Sequence, residues 1–384
     1  MKNYPYGRQW ITKNDVQAVT DVLMSDYLTQ GPVIDRFEKV LAKFVGAKYA
    51  VVLNSGTAAL HAAYFASGLK QSDEFITSPI TFAATANAGL YMGAKPVFAD
   101  IEAETGNINI SKIEKNITPK TKLIVPVHYA GFPVDLKPLR NLAQKHHLKI
   151  IEDACHALGA RYEDENIGSC QYSDMAVFSF HPVKHITTGE GGAVTTNNRD
   201  LYEKMLMFRT HGITKDKNKL TVKNEGEWYH EMQFLGFNYR LTDFQAALGL
   251  SQLAKLKLFI KNRRKIASSY NQAFKINPFF DIIEEKKNAF SGYHLYSILL
   301  KKPFQHKKKG VFCLMREKGL GVQVHYIPVY NHPYYQSLGY KKGLCPEAEG
   351  FYQSEISIPI YPLMDKRDTA TVISLIFSIF NSLK

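Results

Sequence analysis

The chain has 384 residues, more than one hydrophobic core usually serves, which predicts one large and one smaller domain. Its 45% hydrophobic content is ordinary for a globular protein, no uncharged apolar run reaches membrane-spanning length, and four scattered cysteines without a CxxC pair argue against zinc and against a disulfide framework. The formal charge of +13 has one dense cluster, KKPFQHKKKG (301–310), and no helix-turn-helix or RNA-reading motif accompanies it. Nucleic acid is therefore disfavoured, and the surplus reads as a solvated surface or as attraction for an anionic small molecule such as a nucleoside diphosphate.

The start, MKNYPYGRQW, lacks the apolar core of a signal peptide, and with the unpaired cysteines this gives a reducing, cytoplasmic setting as the expectation. YAVVLN (49–54) predicts a strand, followed by the helix-like GTAALHAAYFASG. EFITSP (74–79) predicts a second strand, followed by FAATANAGLYMG. PVFADI (96–101) and KLIVPVHY (122–129) read as strands, PLRNLAQKHH (138–147) as a helix and LKIIEDA (148–154) as the next strand. Two further apolar runs, Met175 to Phe180 and Ala193 to Thr196, flank an irregular loop that carries Lys184. This alternation indicates an α/β domain with a mainly parallel sheet sandwiched by helices, and ligands collect at the C-terminal strand ends of such sheets. A long helix-like stretch, 242–274, then leads to short strands at 293–300 and 322–329 and a last apolar helix around 369–380, a smaller α+β unit. The expected division is 1–255, with an N-terminal substrate-site segment, and 256–384, falling inside the long helix.

Three clusters bear chemistry. SGTAAL (55–60) places Ser55 to cap a helix and leaves the N–H groups of Gly56, Thr57 and Ala58 facing outward, which suits a phosphate and equally suits a plain helix start. IIEDACHALGA (150–160) puts Asp153 at a strand end, with His156 three residues on. That carboxylate reads as an N-cap or as the partner of a protonated ring nitrogen. FSFHPVKHITTGEGG (178–192) surrounds Lys184 with aromatic and apolar residues. Desolvation lowers a lysine pKa and makes its amine able to form an imine with a carbonyl, whereas most lysines simply reach to solvent. Ser179 offers a hydroxyl to a phosphate, and the glycines after Thr187 and Thr188 allow a tight backbone path. A phosphate cradle, a ring-facing carboxylate and an imine-forming lysine, in that order, are the parts needed to hold pyridoxal 5'-phosphate.

SGTAAL, PITFAATANA, IIEDACHALGA, FSFHPVKHITTGEGG, RTHGI, GFNYRLTDFQAALG and VQVHYIPVY occur in the order found in the DegT/DnrJ/EryC1/StrS sugar-nucleotide aminotransferases, and the chain resembles that family over nearly its whole length. The resemblance implies a fold-type I pyridoxal-phosphate enzyme. It implies Lys184 as the imine-forming lysine, Asp153 at the pyridine nitrogen, Phe82 on the ring, His156 near the phenolic oxygen, and Gly56, Thr57 and Ser179 at the phosphate. Asn238, an ordinary turn residue on its own, resembles the asparagine that reaches the phosphate from a second subunit and so implies a homodimer. Tyr6 with Asp26, Tyr27, Leu28 and Thr29, and Gln323, Val324, His325 and Tyr326 from the smaller domain, match the stretches that line the sugar-nucleotide site. Taken alone, QVHY is an alternating strand and His325 a core or edge histidine; Phe82 reads nearly as well as core.

YGRQWI, SDYLTQGP and LGFNYRLTDFQAALGLSQL resemble most closely the branch of the family that serves pseudaminic acid synthesis. Its substrates would be L-glutamate and a UDP-linked 2-acetamido-2,6-dideoxy-4-ketohexose aminated at C4, with no metal, membrane or nucleic acid involved. Other nucleotide 4-ketosugars, of bacillosamine, arabinose or perosamine type, are the alternative substrates. Related sugar dehydratases carry histidine where this chain has Lys184, which argues against dehydration. A binding protein without catalysis is disfavoured by the intact set of Lys184, Asp153, Ser179 and Asn238.

Overall fold

The computed structural model describes residues 2–382. Strands β1 (Tyr49–Leu53), β2 (Glu74–Thr77), β3 (Lys95–Phe98), β4 (Thr121–Val125), β5 (Lys149–Asp153), β6 (Met175–Ser179) and β7 (Gly192–Thr196) build a seven-stranded sheet in the order β1-β7-β6-β5-β4-β2-β3. All neighbours are parallel except β7, which is antiparallel to both β1 and β6. The strands read as apolar runs because both faces are covered. Val52, Ile124, Ile150 and Ala176 pack with helices α1 (Pro32–Val45) and α4 (Leu136–Lys145). Their chain neighbours Val51, Leu123, Ile151 and Val177 pack on the other face with α2 (Gly56–Ser67) and α3 (Ala84–Tyr91).

Helix α2 is almost entirely buried, and its alanine-rich sequence lets it lie close to the sheet. It ends at Gly68, whose φ of 86° is a left-handed cap. Helix α1 starts at proline, and the start of a distant helix, α5 (Asp243–Phe274), supplies its cap. The buried Asp243 carboxylate accepts the N–H groups of Gly31 at 2.7 Å, Val33 at 3.0 Å and Ile34 at 3.4 Å.

Helix α5 changes partners along its length. Leu253, Leu256, Phe259 and Ile260 pack with the large sheet; Ile266, Ala267, Tyr270 and Phe274 pack with the smaller unit. That unit is a three-stranded antiparallel sheet, β8 (Phe280–Ile282), β9 (Tyr296–Leu300) and β10 (Glu355–Ile358), with helices α6 (Lys308–Glu317) and α7 (Lys366–Asn381). Between the two halves of α5, the fully buried Arg263 donates to the carbonyls of Tyr293 and His294 at 3.2 Å and of Ile360 at 2.9 Å. Those bonds explain why the strand expected from 293 begins only at Tyr296.

The stretch 322–329, expected as a strand, is irregular apart from the bridge of Gln323 to Ser357 and a 3-10 turn that starts at Val329. Side chains take the backbone groups that a ladder would use: the His325 N–H goes to Glu355 and its carbonyl accepts the Tyr129 hydroxyl. Among the described residues no helix is long and apolar enough to cross a membrane.

Candidate active site

The reversed strand β7 decides the first part of the site. Its first residue, Gly192, lies opposite Leu53 at the end of β1 and opposite Ser179 at the end of β6. The start of α2 and the Ser179 hydroxyl are thereby brought side by side. Ser55 is extended, and its Oγ accepts the Ala58 N–H at 3.0 Å, so that N–H, expected to face outward with those of Gly56 and Thr57, is instead taken by the cap. The N–H groups of Gly56 and Thr57 come before the first intrahelical bond, at the positive end of a 12-residue helix. A Cβ on Gly192 would stand 2.5 Å from the Ser55 carbonyl oxygen and 2.7 Å from the Gly56 nitrogen. One on Gly56 would stand 2.9 Å from Ser179 Cβ and 3.2 Å from its Oγ. Glycine at both positions makes the cradle narrow. Among the described residues Ser179 Oγ accepts only a long contact from the His181 N–H, 3.4 Å, and its proton has no acceptor there.

Strand β5 ends in two carboxylates that leave on opposite faces. Glu152 turns away into a buried pair, taking the His128 Nε2 proton at 2.8 Å while His128 Nδ1 accepts the Val134 N–H at 3.0 Å. Asp153 faces the cavity. Its Oδ2 accepts the Thr85 hydroxyl at 2.7 Å and its Oδ1 the Cys155 N–H at 3.2 Å. With the Thr85 proton committed to the carboxylate, Thr81 donates to Thr85 at 2.7 Å, and the relay fixes the orientation of Asp153. These two threonines, four apart in TFAAT, were not singled out in the sequence; their spacing at the start of a helix is the signal that was there.

Lys184 stands on a loop pinned at its base. Phe180 donates to the Gly191 carbonyl at 2.8 Å and accepts from Thr188 N–H and Thr187 Oγ1 at 3.0 Å. Burial pushes the Lys184 amine below its ordinary range, opposed by Cys155 and Asp153 nearby, and its Nζ makes no hydrogen bond or ion pair among the described residues. Burial also pushes His156 down, with Lys184 adding to the effect, so its imidazole is neutral. His156 Nε2 meets the Tyr326 hydroxyl at 3.0 Å, and its buried Nδ1 has no partner among the described residues.

Gly56, Thr57, Phe82, Asp153, His156, Ser179 and Lys184 line one cavity of about 470 Å³, together with Tyr6, His325 and Tyr326. The remaining sequence candidates lie elsewhere in a single chain. Leu28 and Thr29 pair with the start of α5, through the Leu28 carbonyl to Asp243 N–H and a bridge of Thr29 to Thr242. Asp26 precedes them, exposed, and Tyr27 borders a separate cleft beside Arg209 and Arg240. Gln323 bridges to Ser357, and Val324 lines a separate cavity with Lys308, Phe312 and Tyr352. Asn238 bridges to Thr210, and its carbonyl accepts Asn54 Nδ2 at 3.5 Å.

The residues present fit pyridoxal 5'-phosphate. The cradle that a Cβ would fill would suit its phosphate, the Lys184 amine its aldehyde and the braced carboxylate its ring nitrogen, and among the described residues the buried His156 Nδ1 is a polar atom left to be satisfied. The model of the DegT/DnrJ/EryC1/StrS aminotransferase family matches residues 9–377. The chain is 41% identical over 382 residues to the UDP-4-amino-4,6-dideoxy-N-acetyl-beta-L-altrosamine transaminase of Campylobacter jejuni, covering 99% of this chain and 98% of that one. It is 41% identical over 380 residues to the spore coat polysaccharide biosynthesis protein SpsC of Bacillus subtilis, with 97% and 96% covered. Among solved structures, Helicobacter pylori PseC, an aminotransferase involved in the biosynthesis of pseudaminic acid, superposes with a TM-score of 0.93 at 38% identity over 99% of this chain and 100% of that one. The PLP form of the putative sugar aminotransferase Spr1654 of Streptococcus pneumoniae gives 0.92 at 26% identity, with both chains fully covered.

Proposed function

The chain belongs to the DegT/DnrJ/EryC1/StrS aminotransferase family and is a pyridoxal-phosphate aminotransferase, and from that premise we propose that it moves the amino group of L-glutamate to C4 of UDP-2-acetamido-2,6-dideoxy-β-L-arabino-hex-4-ulose. The product is UDP-4-amino-4,6-dideoxy-N-acetyl-β-L-altrosamine. The observation that carries the reading is the meeting in one cavity of an amine that makes no hydrogen bond or ion pair among the described residues, a braced carboxylate and a glycine-walled helix start.

Bound there, the cofactor supplies the electron sink that lets a proton leave the carbon bearing the amine. The chain's own residues do the rest. Gly56 and Thr57 N–H and Ser179 Oγ hold the phosphate. Asp153 keeps the pyridine nitrogen protonated, with Thr81 and Thr85 preventing the carboxylate from turning. The Lys184 Nζ, kept poorly solvated, is an amine that takes a proton at one carbon and returns it at another. Phe82 lies at the mouth of the cavity, 64% exposed, where it can cover one face of a ring.

That exposure, with Trp228 at 76%, Leu235 at 74% and Met232 at 64%, supports a homodimer in which a second copy covers these side chains and brings Asn238 to the site. Tyr6, His325 and Tyr326 are the wall left for the sugar nucleotide, with the other substrate residues, Asp26 to Thr29 and Gln323 and Val324, joining from neighbouring segments. A cytoplasmic location is supported by the four free cysteines, which suit a reducing compartment.

Borohydride reduction of the purified protein, digestion and mass analysis are expected to place a pyridoxyl group on Lys184. Absence of the tag, or a tag on another lysine, removes the assignment. The equal identity to the spore coat protein favours a second substrate reading, another nucleotide 4-ketosugar. Turnover measured across UDP- and GDP-linked 4-ketosugars, with the configuration of the product determined, separates the two.

A further inference from the structure

Glu355, the first residue of β10, lies outside the cavity, fully buried, and was not singled out in the sequence. Its Oε2 accepts the His325 N–H at 2.7 Å. Its Oε1 accepts the Ser297 hydroxyl at 2.8 Å and the Ser357 hydroxyl at 2.5 Å. An ionised carboxylate only accepts, so it fixes the direction of both hydroxyls. Ser357 Oγ, its proton already committed, meets His325 Nδ1 at 2.8 Å and must accept there. His325 therefore carries its proton on Nδ1. Burial pushes its pKa down to about 3, so the ring is neutral and Nε2 keeps a bare lone pair. The ring lines the cavity, and Nε2 has no protein partner among the described residues.

We propose that Glu355 is a positioning residue that, acting through Ser357, holds His325 in the tautomer whose Nε2 accepts a hydrogen bond from an O–H or N–H group of the substrate. This rests on the substrate site proposed above. The same carboxylate fixes the backbone at His325, and so steadies Tyr326, whose hydroxyl meets His156. The groups around Glu355 are the two serines, the His325 N–H and Lys308 on α6; the Tyr129 and Tyr326 hydroxyls lie near, and among the described residues no cation forms an ion pair with it.

Burial raises Glu355 to about 7. The sign of the linkage follows. The folded-state pKa lies above the ordinary carboxylate value of 4.5, so the folded chain binds the extra proton between 4.5 and 7 and loses stability as pH rises through that window. An ionised Glu355 is thus kept at a cost to folding, which a purely structural role does not explain.

Glu355→Gln tests the proposal. A glutamine can keep its oxygen on the His325 N–H and turn its amide N–H groups to the serines. Ser357 would then donate to His325 Nδ1, and the ring would carry its proton on Nε2. The expected results are as follows: two-bond ¹⁵N spectra of histidine-labelled, cofactor-free protein at pH 8 show the Nδ1–H form for His325 in the parent and the Nε2–H form in the variant. The variant melts higher than the parent at pH 8 but not at pH 4.5. In the loaded enzyme, kcat/KM for the ketosugar falls about tenfold, the loss of one good hydrogen bond, and the acidic limb near pH 7 disappears. Ser357→Ala, which leaves the Glu355 to His325 N–H bond in place, is expected to lose the Nδ1–H preference as well. An Nε2–H ring in the parent, an Nδ1–H ring in both variants, or parental kcat/KM in a variant with the ring reversed overturns the proposal. The spectra need neither cofactor nor sugar, so failure to find any accepted ketosugar would count against the proposed reaction and leave the tautomer result standing.

Discussion

Gly56→Ala isolates the cradle from the rest of the molecule. Gly56 is not among the glycines with positive φ, so alanine meets no backbone strain, and as a better helix former it favours the start of α2 by up to ~1 kcal/mol. The cost is local. The added methyl stands 2.9 Å from Ser179 Cβ, where apolar carbons normally rest about 3.5–4.0 Å apart. The gap between α2 and β6 must therefore open by roughly 0.6–1 Å, or the Ser179 hydroxyl must rotate away. Either way the phosphate loses a hydrogen bond to a charged group, about 1.5–3 kcal/mol, which is a factor of roughly 10 to 150 in cofactor Kd. Titration of the cofactor-free protein with pyridoxal 5'-phosphate, followed in the visible, is expected to show that weakening, while stability without cofactor changes by no more than ~2 kcal/mol, because the helix gain offsets part of the overpacking. Gly68→Ala is the control. Its site is empty of neighbours but has φ 86°, so it is expected to lower stability by ~1–2 kcal/mol and leave cofactor affinity alone. Parental affinity in Gly56→Ala would refute the placement of the phosphate.

Three further outcomes follow from buried charge. Lys184→Met is expected to raise the melting temperature of cofactor-free protein at pH 7.5. Because burial lowers the Lys184 pKa, the penalty on its charged form fades as pH rises toward the ordinary 10.5, and a gain that does not narrow by pH 10 speaks against a desolvated amine. Arg209 pairs with buried Glu38 and donates to the Val52 carbonyl at 2.7 Å, so Arg209→Met, read by denaturant unfolding at pH 8, is expected to cost ~3–5 kcal/mol. Burial raises the Glu38 pKa, and the cost is expected to shrink on acidification as that carboxyl protonates. Asp243→Ala removes the acceptor for three N–H groups at the start of α1 and is expected to cost ~2 kcal/mol in the same assay; an effect below ~0.5 kcal/mol would mean that water replaces the cap.

Much of this was legible because it is local. The run from YAVVLN through SGTAAL carries a strand, a cap and a helix within a dozen residues, and the alternation of such units fixes a mainly parallel sheet. The reversal of β7 was not legible. Its apolar pattern, AVTT, is the same whichever way it runs, and only the pairing with β1 and β6 shows that it is antiparallel to both. The braces of the site were hidden for a related reason. Thr85 reaches Asp153 across 68 residues and Ser357 reaches His325 across 32, and a hydroxyl in a sequence says nothing of which acceptor it will meet. The strand expected over 322–329 failed because periodicity registers side-chain faces only, whereas the backbone groups of His325 were claimed by Glu355 and Tyr129.

The same pairing explains why the chemistry sits where it does. In a wholly parallel sheet, the strand beside β1 would bring its own C-terminal end and following loop to the edge where α2 begins. With β7 reversed, what lies there is its first residue, and that residue is glycine. Both β1 and β6 end against it, so the helix start and the serine hydroxyl approach within the width of a missing methyl group. The loop that returns the chain from β6 to β7 must then pass over this cleft, and it is the loop that carries Lys184. A change that thickens this junction, such as Gly192→Ala with its Cβ 2.5 Å from the Ser55 carbonyl, would push the helix start away from Ser179 and displace the lysine loop together. Cofactor affinity and the yield of borohydride labelling at Lys184 are expected to fall in parallel in that variant. Loss of one without the other would show that the phosphate cradle and the lysine are positioned independently.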